Sequence, residues 1–599
     1  MSRSEPTYIG EVQSVSGAVV SIQLRDNLIS SLMLIDGESY RVGQIGAFIR
    51  IPLGYHQLYG VCTQVGAAAI PQNTNVDIER NNRWLSVVLF GEALGNHFDR
   101  GVSQYPTVSD EVHLVTTNDL EIIYGSLESD SSISIGNIAA SSGIKAKLDV
   151  GKLVSRHASV VGSTGSGKSN LTSILMEEIA SPNFPSSRII VIDPHGEYSS
   201  SIVSNGYTFK IDPQKDNEEQ LYVPYWALPF DELQKITLGD MSSSAESQIR
   251  DVLTDMKKEA ATHLGSAPPQ EMITADSPIP FNIKKYWFNL DDYERRTIQN
   301  RETGELATRT QEGNPDELVS NIYTPPSPAG NPPFVAQTRG ITRQLELLKN
   351  RLKDSRYNFL FNPGPKLSPD MDGKIQEDLD SLVASWVGHD KQISVLDVSG
   401  LPSEILSAIV GTMLRIIYDT LFWAGKLPIS GRNQPLLIIL EEAHLFLPEG
   451  SVTTAHRTIN KIAKEGRKYG VGLFIITQRP VEIDSSILSQ CGTMISLRMS
   501  NSADRSKVAS AMSDDLGNLA AMLPSLRTGE GLDIGEAMPI PSRILFRKAI
   551  NKPIGDDPKL AEKWQIENRP DKGLYKEALK NWRSQSFSEE NNTENGNNG

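Results

Sequence analysis

Cysteine is nearly absent: Cys62 and Cys491 are the only two in 599 residues. Two thiols cannot build a disulfide framework, and such scarcity predicts a reducing, cytoplasmic setting. Positive charge is also in deficit, with 58 Lys and Arg against 73 Asp and Glu and a formal charge of −15. That excludes a protein coating nucleic acid with its whole surface, but not one holding it in a single basic channel. A long uncharged hydrophobic run is missing too. The most apolar stretch, 405–425, carries Arg415 and Asp419, which predicts a buried helix and no membrane span. The opening Met-Ser-Arg-Ser-Glu-Pro lacks the apolar core of a signal peptide. What is present, 39% hydrophobic and 22% charged residues, is the composition of a folded soluble protein. The length predicts about two to four domains.

Residues 1–145 read as a small N-terminal β-barrel. The run Tyr8–Leu24 alternates, breaks at a Ser-Gly turn and resumes, and further short β-rich runs follow at 40–51, 59–65 and 84–90. From about 146 the pattern becomes apolar strands alternating with helices, over 146–550. The strands at 188–193, 393–397, 436–440, 471–476 and 493–497 are continuously apolar, as in a parallel sheet covered by helices on both faces. The gap between the first two of these is too long for one crossover. It predicts a helical insertion at about 225–390, with a Pro-, Asn- and charge-rich excursion over 266–337. A C-terminal extension covers 551–583, and the polar tail 584–599 reads as disordered.

One octapeptide carries the chemistry. Gly162-Ser163-Thr164-Gly165-Ser166-Gly167-Lys168-Ser169 fits Gly-x-x-x-x-Gly-Lys-[Ser/Thr] and lies between a strand-like run, 157–161, and a helix-like run. Its glycines let backbone N–H groups converge on a triphosphate at a helix N-terminus, and Asn170 continues the binding stretch. Lys168 reaches the β- and γ-phosphates, and the Ser169 hydroxyl completes a Mg²⁺ shell. A nucleoside triphosphate, ATP with Mg²⁺, is the expected ligand.

Strand ends supply the rest. Apolar residues 436–440 lead into Glu441 and Glu442: Glu441 is placed to orient a metal-bound water, and Glu442 to polarise the attacking water. Because Glu441 is one methylene longer than the usual Asp, its expected metal contact is indirect. Gln478 follows the strand 471–476, where an amide can touch the γ-phosphate, and Asp193 ends the strand 188–193 near the site. Both also fit simple strand-to-loop turns. In the helix that follows the glutamate pair, Arg457, Lys461, Lys464 and Lys468 share a stripe facing either a nucleic-acid channel or solvent. Arg467 falls at the stripe's edge, where it is either a finger reaching a neighbouring subunit's phosphate or a plain surface arginine.

These residues, with 192–198, 440–444, 465–470 and 477–480 in order, resemble the HerA family of hexameric DNA-translocating ATPases. The resemblance spans about 150–550 and implies an α/β fold: a RecA-like P-loop ATPase core with an inserted helical subdomain, preceded by the small barrel. It implies a homohexamer driving double-stranded DNA through a central pore. It also makes Arg467 the arginine acting in trans, and matches Arg156 to a second arginine near the nucleotide phosphates. An effector docking on the barrel is implied as well, either a NurA-like nuclease in DNA end processing or a sirtuin-like NADase in anti-phage defence. Abundant Asn and the long polar tail lean toward defence. The alternative is an ATP-stabilised ring scaffold that assembles and activates an effector with little movement of its own.

Overall fold

The computed structural model describes residues 5–25, 32–35, 37–66, 83–127, 129–141, 143–202, 204–450, 452–512, 514–554, 560–565 and 571–584. The N-terminal strands close a six-stranded antiparallel barrel. Its order is Tyr8–Ser16, Val19–Leu24, Trp84–Leu94, His56–Val65, Phe48–Leu53 and Glu111–Leu114, which returns to Tyr8–Ser16. The Ser-Gly turn is made as expected, with Gly17 at φ +58° between the first two strands. Alternation sends Ile9, Val20, Ile22, Ile51, Leu58, Val87 and Val112 inward to fill the barrel.

The boundary expected at 145 falls earlier. After Leu114 the chain forms a helix, Thr117–Gly125, started by a reciprocal capping box between Thr116 and Asp119. Ser132–Ile138 and Lys145–Asp149 then pair with each other and, through Ser542–Phe546, join the edge of the large sheet. These strands belong to the second domain because their partner is a C-terminal strand, which local patterning does not reveal. Phe48, Tyr59, Val61, Val88 and Phe98 pack into the same cluster as the large sheet and fasten the barrel to it. Beside this seam lies Asp533, wholly buried, with neither carboxylate oxygen hydrogen-bonded among the described residues.

The large sheet has twelve strands. Its parallel run places Thr493–Leu497, Ala158–Val161, Val471–Thr477, Leu436–Leu440, Arg188–Asp193, Ile393–Asp397 and Gly206–Lys210 side by side. Their uninterrupted apolarity follows from double-sided burial: Ile190, Ile192, Ile438 and Ile475 face one layer, while Ile189, Val191, Ile439 and Ile476 face the other. The second layer holds the helix Lys168–Ile179 through Leu171, Ile174, Leu175 and Ile179. The first holds Ser403–Trp423, Thr454–Glu465 and the insertion. Ser403–Trp423 has the length and apolarity of a membrane span, but 67% of its apolar window is buried inside the protein. It is the buried helix that Arg415 and Asp419 predicted.

The insertion is helical at both ends, as expected, and more ordered in the middle than its composition indicated. Within the excursion, Ile283–Arg295 is a helix capped by Asn282, with Ile283, Tyr286, Trp287 and Leu290 buried at helical spacing. Two short ladders follow, Thr297–Ile298 with Phe334–Val335 and Arg309–Gln311 with Ile322–Tyr323. At the C-terminus, Leu560–Gln565 and Lys572–Ser584 are helices. Of the tail expected to be disordered, 584–599, Ser584 ends the second of these helices and 585–599 lie outside the described residues.

Candidate active site

Every parallel strand ends at the same edge, so the loops that follow them meet there. The phosphate loop leaves Val161, and its shape depends on glycine: Gly165 and Gly167 have φ of +70° and +109°. A Cβ on Gly162 would stand 2.7 Å from Ser166 Oγ and 2.8 Å from Leu497 Cβ. Ser163 is held by its N–H and hydroxyl, both donating to the Arg498 carbonyl at 3.0 and 2.9 Å. Lys168 is buried at the start of its helix and donates to the carbonyls of Gly162 and Ser163 at 3.1 and 3.3 Å. Burial lowers its pKa, against the opposing pull of Glu442, Glu441 and Glu197.

The glutamates lie beside it. Glu441 is buried and accepts a 3.1 Å hydrogen bond from the Tyr198 hydroxyl. Burial, then the charges of Glu442 and Asp193, push its pKa up to about 8. Glu442 turns the chain in a left-handed conformation, φ +46°, that a non-glycine residue rarely adopts. Burial raises its pKa, but the His444 ring at 3.2 Å, the Lys168 charge and the Gln478 N–H outweigh this and hold it low. The two neighbours are therefore pushed apart, and Glu442 keeps its negative charge, as a residue polarising water must. Gln478 is drawn to the loop: its Oε1 accepts from the Thr164 hydroxyl at 2.5 Å.

Two side chains are placed by bonds that the sequence did not indicate. Asp193 uses its carboxylate on the N–H groups of His195, Gly196 and Tyr198, at 3.1, 2.9 and 3.0 Å. It therefore shapes the loop 195–198 and is not turned to the phosphates. Burial lifts its pKa to about 6, helped by Asp397 and opposed by those N–H groups. The Asn170 side chain donates to the Arg547 carbonyl at 2.9 Å and accepts from Ala549 N–H at 3.0 Å, which fastens the segment 547–554 across the helix.

Residues missed by sequence reasoning sit in the loop 195–198. The Ser169 hydroxyl donates to Glu197 Oε2 at 3.0 Å, and Tyr198 holds Glu441. Their sequence signal was the stretch 192–198, in which neither had been given a role.

Both arginines lie at the opposite edge. Arg156 ends the helix Val150–Ser155, precedes the strand Ala158–Val161, and pairs with Glu536. Arg467 is exposed in the turn Gly466–Tyr469 before Val471–Thr477 and makes no hydrogen bond or ion pair among the described residues. The helix ends at Glu465, so the stripe drawn through Arg457 and Lys468 is broken there. Within it, Lys461 pairs with Asp419 at 3.3 Å and lies over Tyr418 and Phe422, while Lys464 and Lys468 stay exposed.

A glycine loop after a central parallel strand, a lysine and serine opening the next helix and a glutamate pair on a nearby strand end define a P-loop ATPase. Two family models match, "Helicase HerA, central domain" over residues 133–417 and "Helicase HerA-like C-terminal" over 388–541. The chain belongs to the HerA family and is an ATPase. It is 25% identical over 445 residues to a probable helicase of Methanocaldococcus jannaschii, MJECL08, covering 74% of this chain and 75% of that protein. It is 27% identical over 463 residues to the DNA double-strand break repair helicase HerA of Sulfolobus acidocaldarius, covering 77% of each. Among solved structures, VirB4 of Thermoanaerobacter pseudethanolicus aligns with TM-score 0.44 and 16% identity, over 71% of this chain and 98% of that one.

Proposed function

We propose that the chain is an ATP-driven motor on double-stranded DNA, working in the cytoplasm as a homohexameric ring with a separate effector on its barrel. The observation that carries this reading is the position of Arg467, exposed, unpaired among the described residues, and at the sheet edge opposite its own phosphate loop. There it serves only a neighbour's site, and Arg156 at the same edge shares that direction. The naming of relatives as DNA repair helicases supports DNA as the track. Exposed Tyr55 and Leu94, on adjacent hairpins of the barrel, support a docking rim for an effector, a nuclease or NADase in end processing or anti-phage defence.

The site's donors fit Mg²⁺. They are hard oxygens, the Ser169 hydroxyl and the Glu441 carboxylate; Glu441 is lifted by burial and then by the charges of Glu442 and Asp193, and a divalent cation relieves both. Ser169 and, less directly, Glu441 would hold the ion, which supplies charge neutralisation on the phosphates. Backbone N–H groups of Gly165 and of 167–169 cradle the phosphates and Lys168 reaches between them. Glu442, ionised and fixed by His444, takes the proton of the attacking water. Gln478, already bonded to Thr164, reports the state of the loop to the strand end. The neighbour's Arg467 would meet the charge that develops on the leaving phosphoryl group.

The test is steady-state ATP hydrolysis by the purified chain with and without duplex DNA at several salt concentrations, with native mass measurement alongside. Stimulation by DNA that falls steeply with salt in a six-subunit species is expected. Hydrolysis indifferent to DNA, appearing only with an effector bound, would instead select the scaffold role that the net charge of −15 favours.

A further inference from the structure

The loop between Asp193 and Tyr198 is built with more care than a strand-to-helix connection needs. Asp193 gathers three of its N–H groups, and Gly196 at φ +70° leaves a Cβ only 3.1 Å from Asp397 Oδ2. From outside, Ile554 N–H donates to the Glu197 carbonyl at 2.8 Å, so the strap 547–554 also fixes this residue. All of this aims one side chain, Glu197, at the Ser169 hydroxyl. A serine has one proton and two lone pairs; to give a lone pair to a cation it must place that proton elsewhere. Left to itself, the second residue of a helix would turn its hydroxyl to a backbone carbonyl or to water.

We propose that Glu197 is a positioning residue for the divalent cation: by accepting the Ser169 proton it turns the serine lone pairs toward the phosphate side of the site. The inference rests on the reading of Ser169 as a cation ligand. Glu197 acts through Ser169, whose hydroxyl donates to its Oε2.

The experiment measures binding of a fluorescent ADP to the full chain, in EDTA and across a Mg²⁺ titration. The proteins are wild type, Ser169→Ala, Glu197→Ala, Glu197→Gln and the Ser169→Ala/Glu197→Ala double variant. Glu197→Ala is expected to raise the Mg²⁺ concentration for half-maximal effect about 10-fold or more while leaving affinity in EDTA within about twofold. Glu197→Gln, which keeps an acceptor oxygen without the charge, restores most of the Mg²⁺ dependence. The double variant behaves as Ser169→Ala alone. The inference is overturned if Ser169→Ala raises the Mg²⁺ requirement and Glu197→Ala does not, if Gln and Ala are equally impaired, or if affinity falls equally in EDTA. An unchanged requirement in Ser169→Ala removes Ser169 as a ligand and refutes the underlying reading, a result distinct from the other three.

Discussion

Replacing Arg467 by alanine separates binding from turnover in a way the sheet geometry dictates. The strand Val471–Thr477 runs from just after Arg467 to just before Gln478. At about 3.3 Å per residue its seven residues span roughly 20 Å, several times the reach of an arginine side chain. Arg467 therefore cannot touch its own nucleotide, and Arg467→Ala is expected to leave nucleotide affinity nearly unchanged while cutting turnover by about 10³ to 10⁵. Lys168→Ala has the opposite defect: no nucleotide of its own, but an intact arginine for a neighbour. Co-assembling the two inactive variants in equal amounts should restore activity. A site is complete only where an Arg467→Ala subunit receives its arginine from a Lys168→Ala subunit, which random mixing gives at roughly one site in four. The assay is ATP hydrolysis of co-expressed, differently tagged variants purified through both tags. Mixed assemblies as inactive as the parents, or a loss of nucleotide binding in Arg467→Ala alone, would refute the shared-site argument.

Glu442→Gln removes the proton acceptor but keeps the fold of the strand end, so it should retain ATP after gel filtration while turnover falls at least about 10²-fold. Gly162→Ala pushes a methyl into Ser166 Oγ and Leu497, and should lose nucleotide binding with a measurable drop in melting temperature. Tyr198→Phe frees the buried Glu441 carboxylate; turnover should fall while the far-UV spectrum stays unchanged. Asp533 sits at the barrel seam with burial raising its pKa to about 7, Arg100 opposing. Its folded pKa lies above the unfolded one, so it binds its proton more tightly when folded and stability declines as pH rises from about 4 to 7. Asp533→Asn should remove that decline, about 4 kcal/mol at most, so its melting temperature exceeds the wild type's at pH 8 by more than at pH 5.

The phosphate loop, the glutamate pair and Gln478 were legible because each is contiguous and attached to the end of an apolar strand, where position follows from the fold. The direction of the Asn170 side chain was not legible, because successive helix residues turn by about 100°, and its amide faces the segment 547–554. Glu197 lay within the stretch 192–198, but its role was hidden because its hydroxyl partner lies 28 residues away. The helix Ile283–Arg295 had its signal, an Asn cap and four periodic apolar residues, but proline and charge on either side obscured it. The edge strands 132–138 and 145–149 could not be assigned, because alternation says that a strand is half-buried and not which sheet buries it.

A subunit with its phosphate loop at one edge of the sheet and its arginine at the other is a polar block, and polar blocks count differently from symmetric ones. Stacked head to tail, an open row of such blocks completes one site fewer than it has members, while a closed ring completes as many. With the site shared as proposed, the isolated chain would hold two half-sites and no whole one. Specific activity should therefore climb with protein concentration and level off only when the ring closes, so that assembly itself acts as the enzyme's first switch.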